Sequence, residues 1–141
     1  MQACYRKLRP YKYQLVEDYE VSIPIYGEAA EESFIKLSET GTLFIKKGYA
    51  WDGPSGPTFD TLTFMRGSLV HDALYQLIRM ELLDFAYRSD ADRIIRDMCL
   101  EDGMNRVRAK WVYWALRLFG GSAATPGSQK QDVVIRVPKG E

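Results

Sequence analysis

The sequence predicts an α+β fold: an N-terminal antiparallel β-sheet, then a Gly/Pro loop, three packed α-helices and a short C-terminal strand. Three observations carry this. Up to about residue 50, aromatic and β-branched residues cluster in short runs broken by turn residues. Two glycines and two prolines then fall within the five residues 53–57. Beyond residue 67, apolar residues recur at helical spacing.

The strand runs are residues 11–16, 19–26 and 34–37, with breaks at Glu17-Asp18 and over 27–32. Ser38-Glu39-Thr40-Gly41 reads as a hairpin turn leading into 42–46. The sheet is therefore expected over about residues 11–50 and the loop over 51–67. Stiff loops on a scaffold are places where sites are built. Gly67 or Ser68 can cap a first helix carrying Leu69, Val70, Ala73, Leu74, Leu77 and Ile78 on one stripe. Ser89 can cap a second, whose apolar face is Ala91, Ile94, Ile95, Met98 and Cys99, with Gly103 as its stop. Asn105 can cap a third, which ends near Phe119 before Gly120-Gly121. Residues 123–131 have linker composition, and 132–137 read as the last strand.

A chain of 141 residues that is 46% hydrophobic suits one domain with one core. Lysine plus arginine balance aspartate plus glutamate at 19 each. That balance argues against a duplex nucleic-acid binder. Cys4 and Cys99 form no C-x-x-C pair, so a thiolate zinc site is not expected. Residues 1–10 lack the apolar core of a signal peptide, so secretion is not expected and reduced thiols are. No apolar run approaches the ~20 residues that cross a bilayer.

The chemistry centres on His71, the only histidine, in Val70-His71-Asp72-Ala73-Leu74-Tyr75. At about 100° per residue, His71 and Tyr75 share one edge of the buried stripe and Asp72 lies nearly opposite it. On the second helix, Asp92 falls almost in line with Cys99. If the two helices pack antiparallel, His71, Tyr75 and Asp92 meet. An aspartate on an imidazole fixes its tautomer and makes a general-base arrangement. Each residue also has a structural reading. His71 can be a packed, hydrogen-bonded helix residue. Ser89-x-x-Asp92 is a capping-box pattern. Arg79, Arg88, Arg93 and Arg96 suit a solvated or salt-bridged surface. Trp111, Tyr113 and Trp114 suit a core cluster. Asp52 can cap its own turn or ligate a hard cation.

Four segments carry a resemblance: residues 48–57, Val70-His71-Asp72-Ala73-Leu74-Tyr75, Arg88-x-x-Ala91-Asp92, and Tyr113-x-Ala115-Leu116-Arg117-x-Phe119-Gly120. In that order, over about residues 40–120, they resemble an uncharacterised family of tailed bacteriophages and prophages, domain of unknown function 1353. Asp52, Ser55 and Pro57 match that family's D-x-x-S-x-P loop, whereas Trp51-Asp52-Gly53 stands where many members have Thr-Asp-Leu. The resemblance implies phage origin and no established activity. More locally, the H-D-x-x-Y helix is similar to that of secreted calcium-dependent phospholipases. In those terms His71 would be the base, Asp92 its orienter, and Asp72 with the Asp52-Gly53 loop the calcium site. Their disulfide framework and secretion are missing here.

The leading expectation is a phage structural, tail-associated or assembly protein, in the host cytoplasm or the virion, with other phage proteins or its own copies as partners. In it, the His71–Asp92–Tyr75 network and Arg88 hold the loop of Trp51, Gly53, Ser55 and Pro57. The alternative is a metal-assisted ester or amide hydrolase with His71, Asp92 and Tyr75 catalytic and Asp72 and Asp52 holding a divalent cation, calcium or zinc. A variant makes Ser55 the nucleophile, against which the missing G-x-S-x-G elbow counts. A host-directed inhibitor fits the size alone.

Overall fold

The computed structural model describes residues 2–9, 12–51 and 62–126. The loop residues Asp52, Gly53, Ser55 and Pro57 and the expected strand over 132–137 lie outside the described residues. The chain is α+β and divides into two compact units, Met1–Asp52 with Gln129–Glu141, and Gly53–Ser128.

In the first unit the described residues form two antiparallel sheets where one was expected. One contains β1 (Tyr5–Arg9), β2 (Lys12–Leu15) and β7 (Ala50–Trp51), in the order β1-β2-β7. The other contains β3 (Tyr19–Ser22), β4 (Ala30–Glu31), β5 (Ile35–Leu37) and β6 (Thr42–Ile45), in the order β3-β6-β5-β4. The reason is non-local pairing. β2 takes Trp51 opposite Tyr13, a partner that no local residue pattern announces. β3 stops short of the expected residue 26 because Pro24 has no N–H to give a ladder. The 38–41 turn forms as expected: Gly41 N–H donates to the Ser38 carbonyl at 3.1 Å and the Thr42 N–H to Ser38 Oγ at 3.1 Å. Trp51, expected at the head of the loop, is the last residue of β7. It is buried, stacked on Tyr49 and edge-on to Tyr5.

The second unit is helical: α1 (Leu62–Arg79), α2 (Arg88–Glu101), α3 (Arg106–Phe119) and the short α4 (Gly121–Ala124). α1 begins well before the expected cap at Gly67 or Ser68. Gly67 lies inside the helix for a packing reason. A Cβ there would stand 3.0 Å from Ile95 Cγ1 and 3.3 Å from Cys99 Sγ, so glycine lets α2 come close. Phe64, Ile95, Cys99, Met104, Ala109 and Val112 form a shared core between the three long helices, with Leu116 packed against it. Arg66 joins the start of α1 to the end of α2 through Glu101 and Asp102. With Gly67 beside Cys99 and Ile95, this sets the two helices antiparallel, as expected.

Both helix ends close by the same device. At the end of α2, Gly103 at φ +99° lets Met104 N–H reach the Cys99 carbonyl and Gly103 N–H the Leu100 carbonyl. At the end of α1, Leu82 N–H reaches Leu77 and Glu81 N–H reaches Ile78, with Glu81 at φ +61° in glycine's usual place. A 3₁₀ turn (Phe85–Tyr87), capped by Asp84 on Ala86 N–H, leads into α2. Asn105 caps α3 as expected, accepting from Val107 and Arg108 N–H. Ser89 does not cap α2. The helix already runs from Arg88, and the Ser89 hydroxyl reaches back to the Ala86 carbonyl. Trp111 and Trp114, expected in a core, are 71% and 50% exposed. α3 turns Ala109 and Val112 inward instead, and the two tryptophans fall on its opposite side.

Candidate functional site

α1 is buried on nearly every side, and it carries His71 and Tyr75 one turn apart on one edge. Their ring centroids lie 3.9 Å apart. α2 brings Asp92 against both rings. Its carboxylate has no exposed surface and sits among groups from three helices. Oδ1 lies 2.8 Å from His71 Nε2 and accepts from the Tyr75 hydroxyl at 2.6 Å. Oδ2 accepts from Arg117 Nη1 of α3 at 2.9 Å, and Arg88 Nε stands 4.0 Å from it. A carboxylate this buried is tolerated only when paired and hydrogen-bonded. Asp92 is both, so it is a hub and not the helix cap that Ser89-x-x-Asp92 suggested.

Arg88 closes the arrangement. Its Nε donates to the Tyr75 hydroxyl at 3.1 Å, while Nη2 donates to the carbonyls of Leu116 and Arg117. A guanidinium on the last carbonyls of α3 also meets the negative end of that helix dipole. Gly120 makes room at this corner. A Cβ there would lie 2.7 Å from the Leu116 carbonyl oxygen and 3.0 Å from the Tyr75 hydroxyl. Arg79, expected at the surface, is buried and donates to the Ala123 carbonyl, fixing α4 to α1. Arg93 and Arg96 do pair at the surface, with Asp90 and Asp97.

The electrostatics follow from the geometry. Burial works to lower the pKa of His71, but Asp72 and Asp92 outweigh it, and the result is raised above 6.5. Asp72 acts at 3.8 Å from Nδ1, an ion-pair distance and not a hydrogen bond. Burial works to raise the pKa of Asp92, but the bonds from His71 and Tyr75, the His71 charge and the Arg117 bond hold it below 3.8. Burial, then the bond to Asp92, pushes the Tyr75 phenol upward against the pull of Arg88. The carboxylate of Asp92 is thus held by the imidazole of His71, whose protonated form it favours, by the Tyr75 phenol and by the Arg117 guanidinium.

The structure therefore brings together His71, Tyr75, Asp92 and Arg88, and sets Asp72 beside His71 with its side chain 31% exposed. Asp52 lies outside the described residues, and among those described no three His, Cys, Asp or Glu side chains gather as a metal ion would need. Sequence reasoning gave Arg117 and Gly120 no role at the site. Both stand in the fourth motif, Tyr113-x-Ala115-Leu116-Arg117-x-Phe119-Gly120, and that motif was the available signal.

Fold and site together define an α+β chain whose helical unit is joined through one buried, fully bonded aspartate. The chain belongs to the family described as protein of unknown function (DUF1353), whose model matches residues 28–116, more than half of its length. No curated protein and no solved structure matches it.

Proposed function

We propose that this domain works without catalysis, as a structural, tail-associated or assembly component of a phage particle, with the Asp92 network serving to lock its helices. The observation that carries this reading is that both Asp92 oxygens are already taken by partners from α1 and α3. A general base must be free to accept a proton and within reach of substrate. His71 is 5% exposed, and the nitrogen facing Asp92 is already engaged at 2.8 Å. Arg117 and Arg88 beside Asp92 also disfavour a cation at that carboxylate. Buried networks of this type specify one packing arrangement over its competitors. The test is mass spectrometry of purified particles produced with this gene. A fixed copy number per particle is expected, and recovery only as free protein from infected cytoplasm would overturn the reading.

One observation favours the hydrolase alternative. The 2.8 Å contact from His71 Nε2 to Asp92 is the geometry that orients an imidazole, leaving Nδ1 towards Asp72. Under that reading, calcium or zinc raises the melting temperature of the native protein and not of Asp72→Ala, and His71→Ala abolishes ester or amide turnover. No cation-dependent shift removes the metal version.

A further inference from the structure

α3 has a second apolar face that the packing of the helical unit does not use. Val107, Trp111, Trp114 and Leu118 are 65%, 71%, 50% and 70% exposed. They are spaced by four, three and four residues, which is the alternation of the a and d positions of a heptad. At about 100° per residue the four fall within a strip roughly 60° wide, opposite Ala109, Val112 and Leu116 on the packed side. The strip runs along about 16 Å of helix. A strip with this a/d spacing is the seam of a paired helix; Phe119, the last residue of α3 and 80% exposed, lies about 100° round from Leu118. Two shallow cavities of about 450 Å³ each flank Trp111. One is lined by Val107, Arg108, Trp111 and Ala115 among others, the second by Val107, Lys110, Trp111 and Trp114. A ridge between two grooves is what a second helix packs against.

The charges around the seam say which helix. In the heptad set by Trp111 as a, the flanking e and g positions are Arg108, Lys110, Ala115 and Arg117; Arg117 is turned to Asp92, which leaves Arg108 and Lys110 as the charges beside the seam, and α3 contains no acidic residue. Arg108 and Lys110 each line one of the two cavities. Charges at e and g decide the partner of such a seam. A second copy of α3 would set basic rim against basic rim, and a helix with glutamates at e and g would meet it with opposite charge. We infer that the Val107–Trp111–Trp114–Leu118 seam is a docking surface for an acidic amphipathic helix of another protein. This seam faces away from the packed side of α3, and its partner is a question separate from whether the protein joins a particle.

The probe is a synthetic helix about three heptads long, isoleucine at a, leucine at d and glutamate at e and g, compared with a twin carrying lysine at e and g. Binding to the full chain is followed by fluorescence anisotropy of labelled peptide. The acidic peptide is expected to bind about tenfold tighter or more than the basic twin at low salt, with the gap closing as salt rises. Trp111→Glu is expected to remove binding while leaving the thermal melt unchanged, because the side chain is mostly in water. Lys110→Glu keeps the seam and is expected to narrow the difference between the two peptides. Equal binding of both peptides, or binding of neither, overturns the inference. So does a dimer in sedimentation velocity, or pelleting with phosphatidylcholine–phosphatidylglycerol vesicles, that Trp111→Glu abolishes.

Discussion

Replacing Asp92 by asparagine keeps the shape of the hub and removes its charge. The amide oxygen can still accept from His71 and Tyr75 where Oδ1 does now. The amide nitrogen must then face Arg117 Nη1, donor against donor, at the place of a 2.9 Å bond. Flipping the amide restores the Arg117 bond but requires His71 Nε2 and the Tyr75 oxygen to accept, so His71 must be neutral with its proton on Nδ1. Removing one partner of a buried ion pair costs about 3–5 kcal/mol. The Arg117 side chain is 28% exposed and can turn to water, which favours the lower end, about 3 kcal/mol. For a chain of this size that is a fall in melting temperature of roughly 10 °C. Urea unfolding near pH 6, followed by circular dichroism with an unchanged m-value, measures it. A loss below about 1 kcal/mol would refute the idea that this aspartate holds α1, α2 and α3 together.

Four further outcomes follow from the same structure. His71 has a folded pKa above 6.5, so its contribution is complete below 6.5 and is lost as pH rises through the folded value. That of Asp92 lies below 3.8, so its contribution is complete above 3.8 and is lost as pH falls through the folded value. Unfolding titrations should therefore show both contributions intact between 3.8 and 6.5, and His71→Gln should flatten the alkaline decline; an identical decline in the variant would count against a charged His71. Glu81→Gly should stabilise by about 1 kcal/mol, because a side chain at φ +61° is strained where glycine is not; calorimetry detects the gain. Gly120→Ala should destabilise by about 1–3 kcal/mol, since its Cβ would press on the Leu116 carbonyl and the Tyr75 hydroxyl; the same unfolding assay decides it. Burial raises the Cys99 thiol pKa to about 12, so this thiol should resist a thiol-disulfide reagent until the protein unfolds; rapid labelling of Cys99 in the native state would contradict its burial.

The sequence alone determined what depends on short-range rules. Asn105 had to cap α3 and Gly103 had to end α2, because those residue types supply a side-chain acceptor and a left-handed backbone locally. One turn of helix had to set Tyr75 beside His71, and antiparallel packing then brought Asp92 to both. The end of α1 was not legible in this way, because Glu81 occupies the position that glycine usually announces. Nor were the two sheets, since the pairing of Tyr13 with Trp51 joins residues far apart in the chain. Only tertiary packing decided that Arg117 reaches Asp92, that Ser89 leaves capping to the turn before it, and which side of α3 faces the core. α3 is apolar on two faces, and periodicity reports both equally. The choice of Ala109 and Val112 over Trp111 and Trp114 was made by the shape of α1 and α2, where small side chains allow the close approach that brings the Arg117 guanidinium to the buried carboxylate.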